Sequence, residues 1–121
     1  MGIASLVALV FVAFVAILHI GFFVLESFLW TKPAGRRIFG LTAEKAADSA
    51  SLAANQGLYN AFVAAGLIWG LVIHSFPIEV FFLAFVVIAG IVGAITAKRS
   101  ILYVQALPGA IALLLVFFTQ R

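Results

Sequence analysis

Long apolar stretches separated by short polar segments dominate the chain. The stretches are continuous and lack the two-residue alternation of a lipid-facing β-barrel. Each is close to the ~20 residues with which a helix crosses a bilayer. They cover about residues 3–30, 52–73, 77–97 and 100–118. The pattern predicts an all-α, polytopic membrane protein, a four-transmembrane-helix antiparallel bundle that forms a single domain over residues 1–121.

The composition supports this class and excludes others. Hydrophobic residues make up 66% of the chain and charged residues 9%, whereas a soluble domain carries about 25% charged residues. The chain has no cysteine, which excludes disulfides, thiolate nucleophiles and cysteine-ligated metals. The net charge of +3 is too small and dispersed to indicate nucleic-acid binding. We therefore expect no metal, no cofactor and no nucleic-acid partner.

The connection at residues 31–51 contains six of the eleven charged residues of the chain. Its start, residues 31–35, predicts a helix stop followed by a turn. Further on, Thr42 is placed to cap a helix that begins at Ala43, with Glu44 in its first turn. That helix can continue without a break into the second span. The other two connections are very short and predict antiparallel neighbours.

The basic residues predict the orientation of the spans. Six of the seven lie in the first and third connections, and Arg121 stands alone at the carboxyl end. The six are Lys32, Arg36, Arg37, Lys45, Lys98 and Arg99. The positive-inside rule places both connections, including the loop 31–51, in the cytoplasm and both termini outside the cytoplasm. We expect a multi-pass protein of the cell inner (plasma) membrane.

Polar residues inside the spans gather in one layer. At 1.5 Å per residue they lie about 5 to 12 Å from the cytoplasmic interface. They are Glu26, Asn55, Gln56, Tyr59, Asn60, Tyr103 and Gln105. One interpretation is a pocket that binds a lipid or small amphiphile, with Arg36 or Arg37 as charge partner of Glu26. The other is hydrogen bonding between helices without a ligand.

Other residues inside or beside the spans carry more ordinary expectations. His19 is expected to pack in the bundle, and His74 and Glu79 to face water at the opposite interface. Pro108 removes a backbone hydrogen bond and predicts a kink near Gln105.

Small residues on the second and third spans suit close helix approach. Gly66 and Gly70 form a G-x-x-x-G pattern, and Gly90, Gly93 and Ala97 form a stripe. The contacts could lie within one subunit or between subunits. Because a pocket is more easily built between subunits in so short a chain, we expect a homo-oligomer, either a homo-dimer or a homo-trimer.

Distinctive short runs of residues occur along nearly the whole chain. The earlier runs are Phe23-Val24-Leu25-Glu26, Phe28-Leu29-Trp30, Pro33, Gly35-Arg36 and Phe39-Gly40-Leu41. The later runs are Asn55-Gln56-Gly57-Leu58-Tyr59-Asn60, Ala64-Ala65-Gly66-Leu67, Val104-Gln105 and Leu107-Pro108. Together they resemble a small bacterial family of four-span integral membrane proteins, the domain of unknown function 1304. The resemblance implies four spans and no particular activity.

Two other membrane families are similar in architecture and supply alternative functions. The enzymes of eicosanoid and glutathione metabolism are four-helix trimers with a polar second helix. Glu44-Lys45 resembles their acidic-basic motif, but the basic residue inside that helix is missing here. Small multidrug transporters have a glutamate near the middle of the first span, whereas Glu26 is close to the interface. We rank a binding protein first. An enzyme ranks below it because no nucleophile or paired carboxylates can be assembled from these residues, and a transporter ranks third.

The orientation can be tested by single-cysteine labelling, because the chain has no cysteine of its own. Gly2→Cys should react with a membrane-impermeant thiol reagent in intact cells. Ala34→Cys should react only after the membrane is opened. The reverse pattern would contradict the orientation and every depth that depends on it.

Overall fold

The protein is all-α, as the sequence predicts. The computed structural model describes residues 1–119, so Arg121, assigned above to the outer side, lies outside the described residues. No strand occurs within that range. The helices are α1 (Ile3–Ser27), α2 (Pro33–Phe39), α3 (Ala43–Val72), α4 (Phe76–Thr96) and α5 (Leu107–Thr119), the last preceded by a π-helical turn, Leu102–Ala106.

Three helices in the described part of the chain are long and apolar enough to cross a membrane. They are Ile3–Ser27, Phe76–Thr96 and the continuous helical segment Leu102–Thr119. Helix α3 is the longest, with 30 residues, but its first half carries charged and amide side chains. The structure therefore has the helices of a membrane protein. A fourth span within α3 and the orientation of the termini stay predictions.

The first connection is more helical than the sequence suggests. Helix α1 ends at Ser27, three residues before the expected end of the first span at Trp30. Pro33, taken above as part of a helix stop, instead occupies the first turn of α2. A proline suits that position because its fixed φ is helical and its missing N–H would have no partner there. The predicted turn over residues 31–35 is therefore wrong in its second half.

Helix α2 ends at a glycine, and the start of α3 follows the sequence expectation. Gly40 ends α2 in the left-handed conformation with φ 65°, and the backbone N–H of Leu41 donates to the Arg36 carbonyl at 2.9 Å. The backbone N–H of Lys45 donates to Thr42 Oγ1 at 3.1 Å. This is the predicted N-terminal cap, and α3 runs from it without a break to Val72.

The chain forms two compact units, which are described separately. The first contains Met1–Ala16 together with the chain from Ala65 onward, and the second contains Ile17–Ala64. Whether they act as the single domain predicted for residues 1–121 stays a prediction.

In the first unit, the G-x-x-x-G pattern of α3 packs against α4 of the same chain. A Cβ on Gly66 would collide with the ring of Phe82, and one on Gly70 would lie 2.8 Å from Glu79 Cγ and 3.2 Å from Ile78 Cγ2. The missing side chains thus let two helices approach within one subunit.

The glycines of α4 and α5 are used in the same way. A Cβ on Gly90 would lie 2.6 Å from the backbone nitrogen of Ala106, and one on Gly109 would lie 2.7 Å from Val86 Cγ1. Contacts within the chain therefore account for these small residues. The homo-dimer or homo-trimer stays a prediction that needs another surface.

The helix irregularity expected near Gln105 is a π-helical turn. The backbone N–H of Leu107 donates to the Leu102 carbonyl, five residues earlier. Pro108 follows directly and has no N–H to donate, so the regular ladder is interrupted at the place that the sequence predicts.

The expectation that Glu79 faces water is wrong. Glu79 lies in the first turn of α4 and is fully buried, whereas His74 is exposed. The absent side chain of Gly70 leaves room for the Glu79 methylene groups. From the sequence alone, a glutamate near the start of a helix is expected to face water. The contact of Glu79 with Gly70 is apparent only in the three-dimensional structure.

The turn between α3 and α4 holds a non-glycine residue in the left-handed conformation. His74 has φ 51°. Its backbone N–H donates to the Leu71 carbonyl at 3.3 Å, and the Ser75 N–H donates to the Gly70 carbonyl at 2.9 Å. These two bonds form a Schellman motif, which glycine fits best.

We expect His74→Gly to stabilise the protein. Removing the Cβ relieves a conformation that costs a non-glycine residue about 1–2 kcal/mol, and the greater freedom of glycine in the unfolded chain offsets about 0.4–1 kcal/mol of this. The measurement is the free energy of unfolding of purified protein, followed by circular dichroism. His74→Val is the control, and it should destabilise because a β-branched residue fits this conformation poorly. Equal stability of the two variants would contradict this explanation.

Candidate functional site at the end of the first helix

In the second unit, α1 and the first half of α3 run antiparallel and are joined by polar contacts. The Ser27 hydroxyl donates to the Ala54 carbonyl at 3.0 Å. Six residues further along α3, Asn60 bonds Glu26, the residue before Ser27. The later residue on α1, Ser27, therefore pairs with the earlier residue on α3, Ala54. This order defines an antiparallel arrangement.

The carboxylate of Glu26 is held by an amide. Asn60 is buried, with 6% of its surface exposed, and its Nδ2 donates to Glu26 Oε1 at 2.5 Å. Among the described residues, neither Arg36 nor Arg37 forms an ion pair with Glu26. The structure thus gives Glu26 an amide partner, and a role of Arg36 or Arg37 as its charge partner stays a prediction.

Close helix approach at Gly57 sets this geometry. A Cβ on Gly57 would lie 3.0 Å from the backbone nitrogen of Ser27 and 3.1 Å from the Phe23 carbonyl oxygen, and it would collide with Ser27 Oγ. The two backbones are therefore nearly in contact. Asn60, three residues further along α3, reaches Glu26 because of this short separation.

Trp30 links the turn after α1 to α2 and to α3. Its indole N–H donates to Ser49 Oγ at 2.9 Å, and the Ser49 hydroxyl donates to the Lys45 carbonyl at 2.7 Å. The indole also packs on Phe39, with ring centroids 4.7 Å apart. Trp30 is thus fixed in position by one hydrogen bond and one aromatic contact.

Helix α2 is held against the preceding turn by Gly35. Gly35 is buried, and a Cβ there would collide with the carbonyl group of Leu29. The short helix therefore lies directly on the backbone of residues 29–30.

These contacts shape an open cleft of about 350 Å³. It is bounded by one carboxylate, two exposed amides, an indole, a hydroxyl and two apolar side chains. The lining residues are Glu26, Trp30, Ser49, Leu52, Ala53, Asn55 and Gln56. The structure thus brings together three residues of the predicted layer, Glu26, Asn55 and Gln56, while Asn60 supports Glu26.

The remaining residues of the predicted layer lie elsewhere. Tyr59 is 55% exposed and does not line the cleft. Tyr103 and Gln105 belong to the first unit, where Tyr103 is 61% exposed and Gln105 is half-buried. Their convergence with Glu26 stays a prediction.

Sequence reasoning missed four lining residues, of which Trp30 is the most informative. A tryptophan at a span end is ordinary in membrane proteins, so it carries no signal of a site. An indole N–H needs a hydrogen-bond acceptor when it is buried. The acceptor here is Ser49, nineteen residues later, and a search for such a partner is the signal that could have identified Trp30.

The polar groups that line the cleft can both donate and accept hydrogen bonds. Glu26 accepts hydrogen bonds, and the amides of Asn55 and Gln56 both donate and accept. Within residues 1–119, no three histidine, aspartate or glutamate side chains form a metal-binding cluster. Leu52 and Ala53 add an apolar wall, so the lining suits a ligand with a polar head and an apolar body.

Apolar helices of membrane-spanning length, with a polar cleft beside the end of the first, define a helical membrane protein. The chain belongs to the family described as "Protein of unknown function (DUF1304)", which it matches over residues 13–117. This confirms the family resemblance stated above. It is also similar to the uncharacterized protein YpaA of Lactococcus lactis subsp. lactis (strain IL1403), with 28% identity over 98 residues, covering 78% of this chain and 82% of the relative. No solved structure matches.

We expect Gly57→Ala to destabilise the protein by about 1–3 kcal/mol, the usual cost of overpacking a close contact. Adding Ser27→Ala should recover only part of the loss, because the Ser27 nitrogen and the Phe23 carbonyl remain in the way. The measurement is again the free energy of unfolding.

Gly21→Ala is the matched control for this substitution. Gly21 also lies in a helix, but a Cβ there would meet nothing within 4 Å. It should leave stability unchanged or raise it by about 0.5–1 kcal/mol through better helix propensity. If Gly57→Ala and Gly21→Ala had the same effect on the free energy of unfolding, the close backbone contact at Gly57 would be contradicted.

Proposed function

We propose that this protein is a multi-pass protein of the cell inner membrane that binds a lipid or small amphiphile in the cleft beside Glu26. The observation that carries the proposal is the lining of the cleft, where a carboxylate and two exposed amides lie next to Leu52 and Ala53. In this proposal the polar side chains bind the head of the ligand, and the apolar wall contacts its chain.

The charge of the cleft favours a particular kind of head. Glu26 is an acceptor held by Asn60, so a head with N–H or O–H donors gains a charge-assisted hydrogen bond. The indole of Trp30 also attracts cations. An anionic head would instead be repelled by the carboxylate. An ammonium or hydroxyl head therefore fits best.

The location of the cleft agrees with a ligand from the membrane. Glu26 lies one residue before the end of α1, a helix long and apolar enough to span. Its side chain is then close to the level of lipid headgroups. The predicted orientation puts this end of α1 in the cytoplasmic leaflet.

The alternatives from the sequence gain no support in the described residues. An enzyme of the eicosanoid and glutathione type would need a basic residue further along the second long helix, and α3 has none after Lys45. A transporter would need Glu26 to be reached from both sides of the membrane, whereas Glu26 lies next to the end of α1.

Dodecylamine, with a single ammonium head, is a direct probe of the cleft. The assay uses protein in phosphatidylcholine nanodiscs, with Trp69→Phe as background so that Trp30 is the sole tryptophan. We expect a saturable change in Trp30 fluorescence. Glu26→Gln should weaken binding roughly tenfold, because one charge-assisted hydrogen bond is lost.

Asp48→Asn is the matched control, since it removes an exposed carboxylate from α3 outside the cleft. It should bind dodecylamine as the parent does. Dodecyl sulfate, with the same chain and an anionic head, should bind much more weakly. Equal losses in both variants, or equal binding of both amphiphiles, would contradict the proposal and leave hydrogen bonding between helices as the role of these residues.

A further inference from the structure

A second concave surface in the same unit has the opposite charge. It is a groove of about 270 Å³ lined by Pro33, Arg36, Arg37, Gly40 and Leu41. We call it the arginine groove. It shares no lining residue with the cleft beside Glu26.

The two guanidinium groups of this groove differ in their surroundings. Arg37 is exposed, whereas Arg36 is partly buried. Arg36 Nε is completely buried and has no hydrogen-bond partner in the described part of the chain. A guanidinium partly withdrawn from water, without a carboxylate beside it, gains more from an anion than a fully hydrated one.

Two glycines hold the backbone around the groove, which both arginines line. Gly35 packs on the Leu29 carbonyl, and Gly40 ends α2 with φ 65°. Arg36 and Arg37 are neighbours in a helix of seven residues. Two arginines that line one groove suit the several oxygens of a phosphate, which a guanidinium binds with two parallel hydrogen bonds.

The groove also lies in the right place for a membrane ligand. It begins at Pro33, six residues after α1 ends at Ser27. Ile38, beside the arginines, is 56% exposed. Basic and exposed apolar side chains side by side are typical of segments that lie in the interface of a membrane.

We propose that the arginine groove binds a phosphate group, supplied by the headgroup of an anionic membrane lipid or by soluble phosphate. The groove is a second binding site, and its ligand differs in charge from the one proposed for the cleft. Arg36 and Arg37 both donate to the phosphate oxygens, which also provides Arg36 with a counter-charge.

The test measures phosphatidylglycerol that remains bound when the protein is released from nanodiscs of mixed phosphatidylglycerol and phosphatidylcholine, by native mass spectrometry. The double substitution Arg36→Gln and Arg37→Gln should weaken this binding roughly tenfold or more. Arg36→Lys, which keeps the charge and loses the planar fork, should show a smaller loss. Circular dichroism checks that each variant keeps its helix content.

Lys98→Gln with Arg99→Gln is the matched control, because it removes the same charge from another exposed basic pair. It should bind phosphatidylglycerol as the parent does, and so should Glu26→Gln, which separates this site from the cleft. Competition by inorganic phosphate assigns a soluble phosphate ligand, and lack of competition assigns the lipid headgroup. Equal losses in the two double variants, or no loss in the arginine variant, would overturn the proposal. If the arginine double variant does not fold, Arg37→Gln at the exposed position gives the deciding comparison.

Discussion

The close approach of two helix backbones at Gly57 determines the geometry of the second unit. A glycine lets α3 come within contact distance of the Ser27 nitrogen and the Phe23 carbonyl. At that separation, short polar side chains can bridge the helices. The Ser27 hydroxyl reaches the Ala54 carbonyl, and Asn60 reaches Glu26. Larger residues at this point would hold the helices too far apart for either bond.

The pairing of polar groups follows from the cost of burying them. Asn60 and the indole N–H of Trp30 each have a partner supplied by the facing segment. Asn55 and Gln56, by contrast, are exposed on the rim of the cleft. One helix thus supplies both the polar groups that hold the structure and those that remain accessible to a ligand. The two interpretations of the polar layer thus apply to different residues. Asn60 forms a hydrogen bond between helices, whereas Asn55 and Gln56 line the proposed site.

The apolar stretches predicted the long helices well because length and hydropathy are local properties of the chain. The cap at Thr42 and the irregularity before Pro108 were also predictable, since each depends on a few neighbouring residues. Helix α2 was missed because Pro33 can either end one helix or begin the next, and the local sequence does not decide between them. The burial of Glu79 depends on a gap at Gly70, nine residues away in sequence, which no local pattern reveals.

The polar hydroxyls of the first unit are arranged differently from the polar groups that line the concave surfaces of the second. The hydroxyls of Thr96 and Thr119 donate to carbonyls of their own helices, at 2.7 Å and 2.8 Å. A hydroxyl bonded in this way has used its single donor, so it can offer a ligand only its acceptor lone pairs. The glycines of α4 and α5 likewise serve packing within the chain. In the second unit, carboxylate, amide and guanidinium groups are instead held at the edges of two concave surfaces. Glu26, Asn55 and Gln56 could be singled out from the sequence because such groups are rare in apolar stretches. The position of Arg36 depends on α2, which the sequence did not predict.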